Sequence, residues 1–190
     1  MNIFFLSNDP VKAAQMECDK HVVKMILESA QMLCTAHRVL DGTITRGPSK
    51  SGLTTVKQYQ HPDPVFDQLL YKAVHVNHPS AVWTRENSAN YNWHYRHFAA
   101  LCEEYTFRYE KVHKTDYQLR GLLSNLPANI PYADKPTKAP LAMFDECKIS
   151  DDTVECYRNY YMTKQDKFNV RWTKRHAPEW FRYNDEVYVL

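Results

Sequence analysis

The chain has 190 residues, of which 44% are hydrophobic and 24% are charged. This length fits one domain of about 100–200 residues, and the composition is that of a globular protein, which excludes a disordered or fibrous chain. There are 24 Lys and Arg residues against 22 Asp and Glu residues, so the net charge of +2 does not by itself indicate a nucleic-acid-binding protein. No apolar run approaches the roughly 20 residues that cross a bilayer.

Glycine and cysteine exclude several kinds of site. The four glycines are Gly42, Gly47, Gly52 and Gly121, so neither a dinucleotide-binding GxGxxG motif nor a P-loop can be written. The five cysteines form no CxxC pair, which predicts reduced, buried thiols in a cytoplasm and no structural zinc. The polar residues that follow Leu6 predict that there is no secretory signal peptide. We therefore expect no cofactor, no metal and no membrane segment.

The first long element is a helix predicted over residues 10–40. An Asp-Pro pair at its start supplies an N-cap and a proline in the first turn, apolar residues recur every three or four positions, and an Asp-Gly pair supplies the stop. Residues 41–62 contain three glycines and two prolines among basic residues. That composition predicts a mobile cationic loop.

Three more helices are predicted downstream. A short one begins after Asp63 and ends before Pro79, because the residue that precedes a proline avoids helical geometry. A second long helix covers 80 to about 113. A third long helix begins after Asp152, where a capping-box pattern stands, and continues to Pro178.

The remaining segments are predicted to be irregular or short. Residues 114–150 contain four prolines and are expected to wrap around the domain without regular structure. Residues 187–189 are predicted as a short strand in the tail. The sequence therefore predicts an all-α, single-domain bundle over residues 1–190, with three long helices and a short one.

A continuous polar stripe is predicted on the first helix. Its members recur at steps of three and four residues, and they are Glu17, His21, Lys24, Glu28, Gln31 and Thr35. A carboxylate one turn from a lysine or histidine can act as an acid/base pair or shift the pKa of its partner. On spacing alone, a solvated face with weak ion pairs is the commoner outcome.

Four histidines form a second set of candidates. His75 and His78 lie near a predicted helix end, and His94 and His97 are three residues apart on one helix. Metal binding would require further ligands, and the Glu-x-x-His pattern of di-iron bundles occurs once where two are needed. We expect these imidazoles to surround an anionic ligand, since they become donors on protonation.

A third set is cationic. Lys164, Lys167, Arg171 and Lys174 have helical spacing in the last predicted helix, beside an aromatic face. Such a pattern suits phosphates with stacked bases. The alternative is a solvated helix end whose cations favour the helix macrodipole.

Several short segments, spread over nearly the whole chain, form a recognisable pattern: Asn2-Ile3-Phe4, Asp9-Pro10, Ala13–Gln15, Cys18–Met25, Glu28, Ala30-Gln31, Thr35–Arg38, His78-Pro79, Trp83, Glu86, Asn90-Tyr91, Trp93, Leu101–Tyr105, Trp172–Arg175 and Pro178–Phe181. Together they resemble an uncharacterised family of small proteins from tailed phages, notably marine phages. The resemblance implies a phage protein located in the cytoplasm of the infected host cell, and it names no reaction.

A weaker resemblance comes from the order of the elements, from His78-Pro79 before the middle helix and from the Trp-rich end. In these features the chain is similar to the pyrimidine-dimer DNA glycosylases, small helical repair enzymes of phages and bacteria. The nucleophile of that family is the α-amine exposed by removal of methionine, assisted by a helix glutamate. The resemblance implies an amine nucleophile here, with Glu28 or Glu17 as the assisting carboxylate. Asn2 departs from the pattern, because its bulk predicts that Met1 is retained.

We predict foremost a phage accessory protein that binds a nucleotide-type anionic ligand and so sequesters a nucleotide-derived immune signal of the host. The alternatives are a DNA-processing enzyme of the glycosylase/lyase type and a non-catalytic scaffold or inhibitor of a host protein. The expected partner is a nucleotide-type small molecule or DNA, and formation of a homo-oligomer is left open. The predicted ligand-binding residues are His21, Lys24, Glu28, Gln31, His78, Trp83, Asn90, His94, His97, Lys167, Arg171 and Lys174.

Overall fold

The computed structural model describes residues 1–49 and 51–184, and this part of the chain contains seven α-helices and one antiparallel hairpin. The helices are α1 (Pro10–Met16), α2 (Asp19–Leu40), α3 (Pro64–Leu69), α4 (Pro79–Glu86), α5 (Ser88–Tyr109), α6 (Lys114–Leu123) and α7 (Thr153–Met162). The strands are β1 (Thr43–Pro48) and β2 (Thr55–Gln60). Although α2 and α5 have 22 residues each, no helix among the described residues combines the length and the apolar character needed to cross a membrane.

The predicted predominantly helical architecture is confirmed, but the expectation of an all-α fold is wrong. Residues 41–62, predicted as a mobile loop, contain the hairpin, in which Thr43 of β1 lies opposite Gln60 of β2. β1 contains two threonines and an isoleucine, β2 contains a threonine and a valine, and these β-branched residues favour an extended chain. Gly52 in the connection has a φ of 74°, a conformation that glycine adopts readily.

The helix predicted over 10–40 is interrupted at Glu17 and Cys18. Both residues are extended, with ψ angles of 139° and 163°. The backbone N–H of Cys18 donates to the hydroxyl of Tyr161 at 2.8 Å, so a bond to a distant helix takes the place of a helical one. The predicted N-cap at Asp9 is confirmed, since its carboxylate accepts hydrogen bonds from the first turn of α1.

The helix predicted over 80–113 is divided into α4 and α5. Asn87 separates them, and its side chain accepts a hydrogen bond from the backbone N–H of Asn90 at 2.9 Å, which caps α5. Helix α5 ends before Glu110, which has a left-handed φ of 56°.

The segment predicted as irregular over 114–150 begins with a regular helix, α6. All four prolines of the segment follow residue 126, so none of them interrupts α6. Beyond α6 the segment has no further α-helix or strand, and a short 3-10 turn at Asp145–Cys147 is its one regular feature among the described residues.

Two other helices start where predicted and end early. Helix α3 begins after Asp63 but ends at Leu69, and α7 begins after Asp152 but ends at Met162. Both aspartates accept two backbone hydrogen bonds in the first turn. The strand predicted at 187–189 lies outside the described residues.

The amino-terminal segment is part of the core. Residues 3–6 are buried, with Phe4 stacked on His21 of α2 and Phe5 packed edge-on against Trp83 of α4. Because Phe4 contacts α2 and Phe5 contacts α4, the segment lies between these two helices, and residues 1 and 2 are placed there with it. The candidate site is built on this arrangement.

Candidate functional site

The amino end of the chain lies against the carboxylate of Glu28. The Met1 amine is 3.5 Å from Glu28 Oε2, and the backbone N–H of Asn2 donates to the same oxygen at 3.2 Å. Lys24, one turn earlier on α2, places its Nζ 3.1 Å from Glu28 Oε1. The side chains of Glu28 and Met1 are 14% and 4% exposed, so the surrounding protein covers most of both. We call Met1, Asn2, Lys24 and Glu28 the amine site.

The side chain of Asn2 is held by three separate parts of the chain. Its Oδ1 lies 3.3 Å from the Ser80 hydroxyl of α4 and 3.1 Å from the Tyr157 hydroxyl of α7. Its Nδ2 donates to the backbone oxygen of Ala142 at 3.0 Å. These contacts fix the backbone nitrogen of residue 2, and with it the position of the chain end relative to Glu28.

His21 supports the amine site from inside the core. Its ring stacks on Phe4 with 4.6 Å between centroids, and its Nδ1 lies 2.7 Å from the hydroxyl of Tyr161. Burial, followed by the charges of Lys164 and Lys24, lowers the pKa of His21 to about 3. The imidazole is therefore neutral near pH 7, and it contributes packing and one hydrogen bond.

His78 borders the amine site from the start of α4. Its Nδ1 accepts a hydrogen bond from the Ser80 backbone N–H at 3.2 Å, so it caps the helix. Burial and then the charge of the amino terminus lower the pKa of His78, whereas the carboxylate of Glu28 opposes this change. The half-buried imidazole is thus affected by the charges of the amino terminus and of Glu28.

Lysines and aromatic rings form a rim near the amine site. The side chain of Lys164 is buried, with its Nζ 3.3 Å from the centroid of the Tyr160 ring. Burial and then the neighbouring charge of Lys167 lower the pKa of Lys164 to about 8. Lys167 lies 5.9 Å from the exposed ring of Phe144, and Lys20 lies 4.3 Å from the ring of Phe168. We call Lys20, Lys164 and Lys167 the lysine rim.

The structure brings together one part of the predicted ligand-binding set. His21, Lys24 and Glu28 of α2 lie together with His78 of α4 around the amino end. Gln31 is one turn beyond Glu28 and is half-buried, with its backbone oxygen accepting a hydrogen bond from the hydroxyl of Thr35.

Trp83 and Asn90 hold the segment that follows α6. Asn90 donates to the backbone oxygen of Trp83 at 2.9 Å and accepts from the Thr137 backbone N–H at 2.8 Å. Trp83 donates its indole N–H to the backbone oxygen of Thr137. Trp83 also borders a cavity of about 540 Å³, whose described lining contains neither Lys24 nor Glu28. Both residues thus have structural contacts away from the amine site.

His94 and His97 are enclosed in the core. His94 Nδ1 lies 2.7 Å from the hydroxyl of Thr84, and His97 Nε2 lies 3.3 Å from Glu17 Oε1. His97 and Glu17 are both 0% exposed, and burial raises the pKa of the Glu17 carboxyl. Glu17 is therefore the partner of a core histidine, and Glu28 is the carboxylate at the amino end.

The prediction that the cations lie on one face of the last helix is wrong, because α7 ends at Met162, before all of them. Lys167, Arg171 and Lys174 lie in the irregular chain that follows, where helical spacing has no meaning. Lys167 belongs to the lysine rim, and the backbone oxygen of Arg171 accepts from the start of α2. Lys174 is ion-paired with Glu110 at the end of α5, so the three cations do not form one row.

Stability is expected to fall as the pH drops below 6.5. Burial is the main cause that lowers the pKa of His21 to about 3 and that of His37 to about 4, from an ordinary value of 6.5. Between these values the unfolded chain binds more protons than the folded one, so the free energy of unfolding falls by about 1.4 kcal/mol per pH unit for each histidine. The stabilisation is complete above pH 6.5. The part due to His37 is lost towards pH 4, and the part due to His21 towards pH 3.

Urea unfolding at pH 7.5, 6.0 and 5.0 measures this dependence. A His176→Gln variant, which changes an exposed histidine, should keep the slope of the wild-type chain. A free energy of unfolding that stays constant from pH 7.5 to 5.0 would contradict this expectation.

Comparison of the chain with models of protein families, with curated proteins and with solved structures found no match. What the amine site can do is therefore inferred from its own atoms.

Proposed function

We propose that this protein is a DNA-processing enzyme in which the amine at the amino end attacks C1′ of a deoxyribose and Glu28 moves the proton. One observation supports this most directly: the same oxygen of Glu28 contacts both the Met1 amine at 3.5 Å and the Asn2 nitrogen at 3.2 Å. In a chain that begins at Met1 or, after methionine removal, at Asn2, the terminal amine would lie beside this carboxylate. The proposed nucleophile therefore does not require the removal of Met1, which Asn2 disfavours.

The chemistry needs a nucleophile and a base at one place. At an abasic site, the amine nitrogen adds to the C1′ aldehyde and water leaves, which forms a Schiff base. A carboxylate nearby can then accept the proton from C2′, and the bond between C3′ and the phosphate oxygen breaks as the C2′–C3′ double bond forms. Glu28 is the group positioned for this proton transfer, because it contacts the amine directly.

The surroundings of the amine site suit a polyanionic substrate. In the lysine rim, Lys20 and Lys167 are exposed cations and Lys164 is a buried one, although the chain as a whole has a net charge of only +2. Such cations bind phosphates, and exposed aromatic rings stack on unpaired bases. Phe144 is 62% exposed next to Lys167, so it offers a ring of this kind.

Trapping with borohydride tests this function. The purified protein is incubated with an oligonucleotide that contains one abasic site, and borohydride reduces any Schiff base to a stable amine. We expect a covalent protein–DNA adduct that maps by peptide mass spectrometry to residue 1 or residue 2. An oligonucleotide with a reduced abasic sugar, which has no aldehyde, should give no adduct.

Two sets of variants identify the amine. A chain with several residues added before Met1 moves the amine away from Glu28 and should lose most of the adduct. Lys24→Met and Lys164→Met remove side-chain amines and should still form the adduct. Absence of any adduct, or an adduct that maps to a lysine, would overturn the proposed amino-terminal nucleophile.

A second candidate function is the binding of a nucleotide-type anion without chemistry. The observation that favours it is the contact of Lys164 with the ring of Tyr160 at 3.3 Å, beside Lys167 and Phe144. Cations next to aromatic rings bind phosphate and base together. A protein that forms no adduct, yet binds fluorescent nucleotides in a manner that Lys164→Met weakens, would support this candidate over the enzyme.

A further inference from the structure

A second group of ionisable side chains lies where the hairpin meets the end of α2. His37 and Asp41 are one helical turn apart at the end of α2, and His61 directly follows β2. Asp41 Oδ2 is 3.9 Å from His37 Nδ1 and 3.7 Å from His61 Nε2. One ligand atom from each residue lies within 4.8 Å of the other two. We call these three residues the hairpin cluster.

The hairpin cluster is buried and its carboxylate is held in place. The side chains of His37, Asp41 and His61 are 1%, 7% and 8% exposed. The backbone N–H groups of Ala128 and Asn129 donate to the two carboxylate oxygens of Asp41, both at 2.9 Å. These bonds orient the carboxylate and place Oδ2 within 4 Å of a nitrogen of each imidazole.

The proton of His37 is assigned by its partner. The Tyr91 hydroxyl donates to the backbone oxygen of Leu123 at 2.9 Å, so it accepts from His37 Nε2, which lies 2.9 Å away. The proton of His37 is therefore on Nε2, and the lone pair of Nδ1 faces Asp41. A ligating histidine in a metal site is commonly oriented in this way, by a hydrogen bond from its other nitrogen.

His61 has a buried nitrogen without a partner. Its Nε2 makes no hydrogen bond with any described residue, and the 3.7 Å to Asp41 Oδ2 is too long for one. A buried polar atom without a partner is costly, so it calls for an explanation. The ring of Phe66 stacks on His61 with 5.0 Å between centroids, so the cluster is covered by an apolar group on that side.

We propose that His37 Nδ1, Asp41 Oδ2 and His61 Nε2 bind one divalent transition-metal ion, with Zn²⁺ preferred. Two imidazole nitrogens and one carboxylate oxygen are a ligand set that zinc uses, with a fourth position for water. Ligands about 2.0–2.2 Å from a tetrahedral zinc are about 3.3–3.6 Å apart. The distances of 3.7 and 3.9 Å to Asp41 therefore need to shorten by a few tenths of an ångström, and the two imidazole nitrogens, which lie within 4.8 Å of each other, by at most about 1.5 Å.

Metal binding has one identifiable cost in this site. His61 Nδ1 accepts a hydrogen bond from the Asp63 backbone N–H at 3.1 Å. Coordination through Nε2 requires the ring proton on Nδ1, so this bond would be lost. Asp63 is exposed, and its N–H can then bond to water.

The ion would join the hairpin to the helical body, at a distance from the amine site. His37 is nine residues beyond Glu28 on α2, which is about 14 Å along the helix axis. A metal that binds the folded chain more strongly than the unfolded one would also stabilise the fold. The sequence does not predict this group, because His61 is 20 residues from Asp41 and no local spacing relates them.

Metal titration of the whole protein tests the site. Protein dialysed against a chelator and then against metal-free buffer is titrated with Co²⁺, followed by visible absorption, and then with Zn²⁺. We expect one Co²⁺ per chain with the d–d bands of a four- or five-coordinate site, displacement by one Zn²⁺, and a higher melting temperature with Zn²⁺ than without it.

Variants separate this site from adventitious binding at exposed histidines. Asp41→Asn removes the negative charge and keeps an acceptor oxygen for one of the two backbone hydrogen bonds, and His61→Gln removes the unpartnered nitrogen. Each should weaken Co²⁺ binding at least tenfold. His75→Gln and His176→Gln should bind as the wild-type chain does. Circular dichroism confirms that each variant is folded. Wild-type protein that binds no Co²⁺, or binding that is lost in His75→Gln and retained in His61→Gln, would overturn the proposal.

Discussion

Replacing Glu28 with glutamine is expected to slow strand cleavage at an abasic site by about 10²–10⁴-fold, the usual contribution of a positioned acid/base group. Glutamine has nearly the same shape, and its amide oxygen can still accept the hydrogen bond that Asn2 donates at 3.2 Å. It cannot accept a proton from C2′. Formation of the Schiff base with a ready-made aldehyde should therefore decline less than cleavage does.

Single-turnover cleavage of an end-labelled abasic oligonucleotide measures this effect, and borohydride trapping in parallel measures the Schiff base. Glu179→Gln is the matched control, because it makes the same change at an exposed carboxylate. If Glu28→Gln cleaves within threefold of the wild-type chain, Glu28 is only an ion partner of Lys24 and the amino terminus. The role of proton acceptor would then be abandoned.

The helix starts could be predicted because their signals are local. Asp9, Asp63 and Asp152 each accept two backbone hydrogen bonds from the turn that follows them. In two of these caps a proline occupies the first turn. All of the atoms involved are within three residues of one another, so the pattern alone specifies the contact.

The interruptions could not be predicted in this way. Helix α2 begins at Asp19 because the N–H of Cys18 is bonded to Tyr161, 143 residues away. The apolar spacing of residues 10–40 continues through that point, so the periodicity gives no sign of the break. The hairpin within 41–62 was not predicted for another reason: the glycines and prolines of this segment are typical of a loop, whereas the β-branched residues between them favour strands.

The candidate site was predictable where it lies on one helix. His21, Lys24 and Glu28 recur at three- and four-residue steps, and they do lie together. The position of the amino end beside Glu28 depends on Asn2, whose side chain contacts residues that are 78 and 155 positions away in sequence. The contact between the amino end and Glu28 therefore could not be predicted from helical spacing. The resemblance to the glycosylases implied an amine nucleophile but gave no contact for it.

Arg38 is expected to be the most sensitive single residue for stability, and Arg38→Met should lower the free energy of unfolding by about 3–5 kcal/mol. Its guanidinium is buried and donates to the backbone oxygens of Tyr59, Asp67, Leu70 and Tyr71 at 2.7–2.9 Å. It also forms an ion pair with the Asp67 carboxylate at 2.6 Å. One side chain of α2 thus holds β2, α3 and the chain after α3.

The loss is large because methionine fills the space but leaves those backbone oxygens and the Asp67 carboxylate without their donor. Arg38→Lys should also be destabilising, since a single ammonium cannot reproduce a planar fork that reaches four carbonyls. Urea unfolding of both variants measures the effect. Arg120→Met, which removes a partly exposed ion pair with Glu103, should change the free energy of unfolding by no more than about 1 kcal/mol. If Arg38→Met costs as little as Arg120→Met, the hairpin and α3 are held to the helical body by other contacts, and the hairpin cluster loses the frame that places His61 beside Asp41.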